Sequence, residues 1–208
     1  MKDLKKPLLL IIIILIIDQA IKIYIKTHFA IGDDVKVFGL DWFRIHFLEN
    51  KGMAFGVNFG DKGGKILLTF LRIILSSLIF IYMYKIIKKK ERKIIIYSFA
   101  LIFAGAIGNI IDSVFYGVIF NESTIFAPAT LFASKGYAPL FFGRVVDMFY
   151  FPLIDTILPE WIPIWGGENF RFFNAIFNFA DACICVGVFM LLISILMTNK
   201  NNMETKSV

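Results

Sequence analysis

The stretch FNFADACICVGVFMLL, residues 177–192, sets one carboxylate at the head of an otherwise uncharged apolar run. Asp181 is followed by enough hydrophobic sequence to enter a bilayer, whose hydrocarbon core takes about 20 apolar residues to cross as a helix. Placing an ionisable group there is costly, and acids inside membrane segments tend to face a bundle interior and mark function. An Asp near a helix start also has a plainer use, capping the helix and complementing its dipole. Which use applies depends on what the rest of the chain brings to Asp181.

The chain has 208 residues, 58% of them hydrophobic and only 18% charged, with a mean hydropathy of +0.75. A soluble domain is nearer half apolar and about a quarter charged, so this composition is that of an integral membrane protein. Four blocks approach the length of a span, about 7–26, 66–88, 94–116 and 173–197. Backbone groups in lipid must be satisfied within the segment, so each block is expected to be a helix. The first block has the basic start of a secretory signal but no small-residue cleavage site. It also carries Asp18, Gln19 and Lys22 in its outer half, so it reads as a retained span. No internal repeat and no second domain are visible, so residues 1–208 are expected to form a single membrane domain.

Basic residues set the orientation, because cytoplasmic loops collect Lys and Arg. MKDLKK at the N-terminus, KIIKKKERK at 85–93, and Lys200 and Lys206 in the tail fall on one side of a four-span chain. Both termini are then cytoplasmic, with segments of about 27–65 and 117–172 outside. The net charge of +6 is explained by a basic edge beside anionic membrane lipid and calls for no nucleic acid. Nothing in the chain requires more than a monomer.

Outside the spans, VKVFGLDWFRIHFLENKGMAFGV (35–57) is rich in Val, Phe, Ile and Trp, with turn signals at Gly39-Leu40-Asp41 and Asn50-Lys51-Gly52. Two or three short strands near the membrane surface are expected there. The second outer segment is a long aromatic loop holding Pro128, Pro139, Pro152, Pro159, Pro163 and Gly166-Gly167, with Phe149, Tyr150, Phe151, Trp161 and Trp165. Aromatics at this density suit a belt at headgroup level, and the hydrophobicity argues against disorder. Cys183 and Cys185 point to different faces of the fourth span and read as buried apolar thiols, since no His cluster accompanies them.

Polar residues in or beside the spans collect at one level. Asp18 and Lys22 are one turn apart on the outer half of the first span. Asn109 and Asp112 stand near the outer end of the third, in GAIGNIIDS. Asp147 lies in GRVVDMFYF, a strand-like run, and Asp181 opens the fourth span beside Asn178. Singly, each has a structural reading: a cap, a neutralised pair that orients a helix, a helix-end carboxylate. Together they bring several acids to the outer face.

Two carboxylates in a partly dry site cannot easily both ionise, so one is a base while its partner holds a proton. That arrangement activates water against an amide carbonyl and protonates the departing nitrogen. His28 and His46 lie away from the acids, and there is no Gly-x-Ser-x-Gly elbow or His-Glu-x-x-His helix. A transporter or proton relay would spread its acids across the membrane, and a lipid- or partner-binding module would need no two aspartates within reach of each other.

Five pieces now stand in order: DQAIK (18–22), ENKGMAFG (49–56), GAIGNIID (105–112), RVVDMF (144–149) and FNFAD (177–181). In these the chain resembles the lipoprotein signal peptidases (signal peptidase II), the membrane aspartic peptidases of bacteria. The resemblance implies an all-α polytopic membrane protein of the inner membrane, four transmembrane helices with a small periplasmic β-structure that cradles the substrate. It implies cleavage of prolipoproteins just before the diacylglyceryl-modified cysteine of the lipobox, no metal or organic cofactor, and inhibition by globomycin-type compounds. The aspartates it makes catalytic are Asp147 and Asp181; the supporting positions it implies are Asn50, Gly52, Asn109, Asp112 and Asn178, with Asp18 and Lys22 matching its DxxxK pattern. Ser113 departs from the family, which usually has Arg after the aspartate of GNxxD, so the interaction of that guanidinium is either absent or supplied elsewhere, with Arg144 and Arg171 as the candidates. The stretches flanking Asp147 are also longer than in a typical member.

Overall fold

The computed structural model describes residues 2–50 and 62–204. Four helices within them are long and apolar enough to cross a membrane. They are α1 (Lys2–His28), α2 (Lys62–Lys88), α3 (Lys93–Ile119) and α4 (Phe179–Glu204). Leu9, Ile16, Leu75, Ile81, Phe189 and Leu196 are all exposed, as expected of helices whose outer faces meet lipid rather than water. The fourth helix starts later than its apolar run, because Ile176 and Phe177 are drawn into a strand. Cys183 is buried, whereas Cys185 is exposed on the outside of α4, so one of the two thiols is not an interior residue.

Helix α3 packs against each of the other three. Its GAIG segment explains how closely. A Cβ on Gly105 would sit 2.3 Å from the Ala180 carbonyl oxygen, and one on Gly108 would sit 2.6 Å from Asp18 Oδ2. Small residues let backbones approach in membranes, and here they bring the heads of α4 and the acid of α1 against one wall. Apolar packing divides into two clusters. Ile11, Ile14, Met83, Ala100 and Ala104 fill the bundle at one end. Ile25, Phe47, Tyr116, Phe120, Val146 and Met148 fill the junction with the sheet at the other.

The sheet has four antiparallel strands in the order β1 (Asp34–Lys36), β2 (Arg44–Asn50), β3 (Val145–Tyr150), β6 (Ile176–Phe177). Val-Val-Asp-Met-Phe-Tyr is β-branched and aromatic, as a half-buried strand requires, and Val145 to Met148 are all buried. Ile45 faces Phe149 whereas Leu48 faces Asp147, so β2 carries one extra residue beside that aspartate. Such a bulge re-aims side chains and is frequent next to functional sites. The outer segment expected as a long loop is therefore partly regular: it contains β3 and a separate hairpin of β4 (Ile154–Ile157) and β5 (Asn169–Phe172).

Candidate active site

Every polar position expected at the outer level that lies in the described residues belongs to one network or borders it; Gly52 falls outside those residues. The network starts on α1. Lys22 Nζ is fully buried and lies 3.0 Å from Asp18 Oδ2 and 2.9 Å from Asp112 Oδ2. It also donates to Asn109 Oδ1 at 2.9 Å. Asp18 Oδ1 accepts the backbone N–H of Ala180 at 3.0 Å, joining α1 to the first turn of α4. Asp112 Oδ2 accepts the backbone N–H of Val146 at 3.2 Å, joining α3 to the strand that carries Asp147. At Asp112 the helix widens into a π-helical turn over Asp112–Tyr116, a departure often found at functional sites.

Asp181 caps its helix and also reaches into the network. Asn178 Oδ1 accepts the Asp181 N–H at 2.9 Å, and Asp181 Oδ2 accepts the Asn178 N–H at 3.3 Å, a reciprocal capping box. The other oxygen, Oδ1, turns to the network and accepts from Asn109 Nδ2 at 2.8 Å. The Asn178 amide reaches across to Asp147 Oδ1 at 2.6 Å and to Asn109 Oδ1 at 3.2 Å. Asp147 and Asp181, from a strand and a helix far apart in sequence, are thus linked through two asparagine side chains.

Asp147 is buried. Burial first and the charge of Asp181 second push its carboxyl up to about 7, against hydrogen bonds from Asn178 and Asn50 and the charge of Lys22, which pull it down. A dry carboxyl next to a second carboxylate is the arrangement in which one proton is shared between two acids.

Three participants were not anticipated. Gln19 Nε2 donates to Asp112 Oδ1 at 3.0 Å and to Asp18 Oδ2 at 3.0 Å, while its Oε1 accepts from Tyr116 Oη at 3.1 Å. The signal for Gln19 was an amide inside an apolar block, next to an acid already singled out. Arg72 of α2 is the third: its Nη1 donates to Ser113 Oγ at 3.3 Å, beside a narrow crevice also lined by Asn50, Lys65 and Thr69. The signal for Arg72 is a guanidinium within the second apolar block.

The expected stand-in at Ser113 needs correction accordingly. Arg144 is engaged elsewhere, 2.9 Å from Glu49 Oε2 and paired with Glu122, because full carboxylates outcompete a hydroxyl for a guanidinium. Arg171 stands on β5, outside the main sheet. Among the described side chains, the guanidinium at Ser113 is that of Arg72.

Fold and site together define a class: a four-span membrane protein with a buried and a half-buried carboxylate joined by asparagines at one end of its bundle. The family model for signal peptidase (SPase) II matches residues 10–197. The chain is 46% identical over 185 residues to the lipoprotein signal peptidase of Porphyromonas gingivalis, covering 88% of this chain and 80% of the relative. It is 35% identical over 181 residues to that of Amoebophilus asiaticus, covering 86% and 72%. Among solved structures, a bacterial membrane enzyme determined in meso at 2.3 Å resolution superposes with a TM-score of 0.62 at 24% identity, over 95% of this chain and 91% of that one; the likeness bears on the fold. The chain belongs to the signal peptidase II family, and it is a membrane peptidase of the aspartic type.

Proposed function

We propose that this chain removes signal peptides from prolipoproteins, cutting on the N-terminal side of the diacylglyceryl-modified lipobox cysteine, with water activated between Asp147 and Asp181. The relatives named lipoprotein signal peptidase support the substrate class. The observation that carries the chemistry is the asparagine bridge between the two carboxylates, with Asp147 pushed up to about 7.

In this reading one proton is shared by the pair. Asp147 is the drier seat for that proton. Asp181 has both oxygens occupied as acceptors, from Asn109 and from the Asn178 backbone. The ionised member takes a proton from water as the water oxygen bonds to the scissile carbonyl carbon. The protonated member then gives its proton to the amine nitrogen as the C–N bond breaks. Asn178 and Asn109 hold the two carboxylates in place, and the Lys22 ammonium offsets Asp18 and Asp112 behind them. Asn50, opposite Val145 across the β2–β3 ladder, borders the same site. Both termini are cytoplasmic, the dyad is near the outer face of the inner membrane, the acyl chains of the substrate stay in lipid, and residues 1–208 work as one monomeric domain.

The test is cleavage of a diacylglyceryl prolipoprotein by the purified chain in lipid. The wild type is expected to release the signal peptide and to be blocked by globomycin. Asp147→Asn and Asp181→Asn are expected to fold and to lose at least about 10³-fold in turnover, the upper range for removing an acid–base pair. Near-normal turnover by either variant would sink the dyad.

A further inference from the structure

The β4–β5 hairpin interrupts the chain between the two candidate catalytic aspartates and is not part of the sheet that holds Asp147. Its turn, residues 158–168, is ordered by its own backbone: Leu158 N–H donates to the Glu168 carbonyl at 3.0 Å, Gly167 N–H to the Leu158 carbonyl at 2.9 Å and Gly166 N–H to the Ile162 carbonyl at 3.0 Å. That frame turns apolar side chains outward instead of collapsing on them. Trp161 is 80% exposed, Ile164 88% and Trp165 59%. Ile164 even takes a left-handed backbone, φ +76°, which a β-branched residue adopts only under constraint. A lone two-stranded hairpin is marginal in water, and a contiguous apolar surface of this kind marks an interaction.

Position and chemistry identify the partner. The chain leaves β5 at Phe172, and the membrane-crossing helix α4 starts at Phe179. At no more than about 3.5 Å per residue, the base of the hairpin stays within roughly 25 Å of the mouth of that span. The base is fixed there by rings: Phe151 stacks on Phe43 at 4.8 Å and on Phe177 at 5.7 Å, and Phe173 meets Phe177 edge-on at 6.2 Å. Between residues 156 and 170 the charged residues are Glu160 and Glu168, with no Lys or Arg. Anionic headgroups would repel such a tip, whereas indole rings favour the lipid–water interface for their own amphipathic character.

We propose that the β4–β5 hairpin is an interfacial anchor whose Trp161, Ile164 and Trp165 insert into the headgroup layer at the mouth of α4, with zwitterionic lipid sufficient. The anchor sits between β3 and β6, so it fixes the height of Asp147 and Asp181 over the lipid. The inference stands on the spans and the hairpin and does not need the proposed cleavage to be correct.

The chain has three tryptophans, so Trp42→Phe leaves only the two indoles of the tip. Full-length protein is reconstituted in phosphatidylcholine vesicles with and without shallow-brominated phosphatidylcholine. The tip emission is expected to fall about two-fold with the brominated lipid, as for interfacial indoles, and to be insensitive to salt and to added phosphatidylglycerol. Subtracting the emission of the Trp161→Phe, Trp165→Phe protein, whose one indole is Trp42, from that of the wild type is expected to show the same loss with Trp42 left in place. Emission quenched by aqueous acrylamide and untouched by brominated lipid would overturn the anchor. So would lipid quenching that disappears when a prolipoprotein is added, which would make the tip a protein-docking surface.

Discussion

Lys22 and Lys26 stand one turn apart on the same face of α1, and both are fully buried, yet they hold different things together. Lys22 reaches acceptors that are themselves on spans, Asp18 and Asn109 and Asp112. Lys26 reaches outward: it pairs with Glu49 of β2, donates to Ser123 Oγ at 2.8 Å, and lies 5.2 Å and 4.9 Å over the rings of Phe120 and Tyr137. Arg144, at the foot of β3, closes this second cluster on Glu49. Glu49 pairs in register with Val146, immediately before Asp147. The same residue type, displaced by one turn, serves in one case to offset the acids of the site and in the other to tie the sheet and outer segment to the helix. Burial and charge alone therefore do not mark a functional lysine; what its partners go on to touch does.

The sharpest way to break this distinction is rescue. Lys22→Met strands two buried acids and is expected to cost about 3–5 kcal/mol of stability, the range for removing one partner of a buried ion pair, and to abolish cleavage. Adding Asp112→Asn is expected to restore much of the thermal unfolding midpoint and none of the activity. Lys26→Met leaves Glu49 with Arg144 and is expected to cost less, about 2–3 kcal/mol. Here Lys26→Met with Glu49→Gln is expected to recover both midpoint and turnover. Recovery of turnover in the Lys22 pair would put both lysines in the same structural role.

The two regions are also expected to answer pH in opposite senses. The Asp147 carboxyl is raised from 3.8 to about 7, so the native state favours its protonated form. Its contribution to stability is complete below pH 3.8 and is lost as pH rises through about 7. Burial pushes Glu49 up, but the Lys26 charge and hydrogen bonds from Lys26, Arg144 and Ser123 outweigh it and leave the carboxyl below its ordinary 4.5. Its contribution is present above that value and lost as pH falls beneath it. Unfolding midpoints against pH should therefore lose their neutral-side decline in Asp147→Asn and part of their acid-side decline in Glu49→Gln. Because Asp181 helps to raise Asp147, the titration of Asp147 in Asp181→Asn is expected to move down, as read by carboxyl infrared bands.

Much of this was legible because membranes impose long-wavelength rules. Hydropathy located four spans, and the acids among them stood out by cost. Val145–Tyr150 read as a strand from its own residues. Where reading failed, a partner distant in sequence decided the outcome. Ile176 and Phe177 continue an apolar run but pair with Tyr150 and Phe149, so α4 starts late. Arg144, one of two candidates for the guanidinium at Ser113, is claimed by Glu49 and Glu122, while Arg72 reaches that hydroxyl from a helix with no motif of its own. The β4–β5 pairing lay inside a segment punctuated by Pro159, Pro163 and Gly166-Gly167, which reads as loop.

The smallest expected effect lies at the rim of the second cluster. Glu122 is half exposed, with a side chain at 49%, and shares Arg144 with the buried Glu49. Solvent screens the outer pair, so Glu122→Gln is expected to cost no more than about 1 kcal/mol and to vanish in high salt. Arg144→Gln removes a partner from Glu49 as well and is expected to cost more, about 1–3 kcal/mol, with Lys26 still in place. If Glu122→Gln proved as costly as Arg144→Gln, the cluster would be held from its exposed side, and Lys26 would be a passenger rather than the tie between helix and sheet.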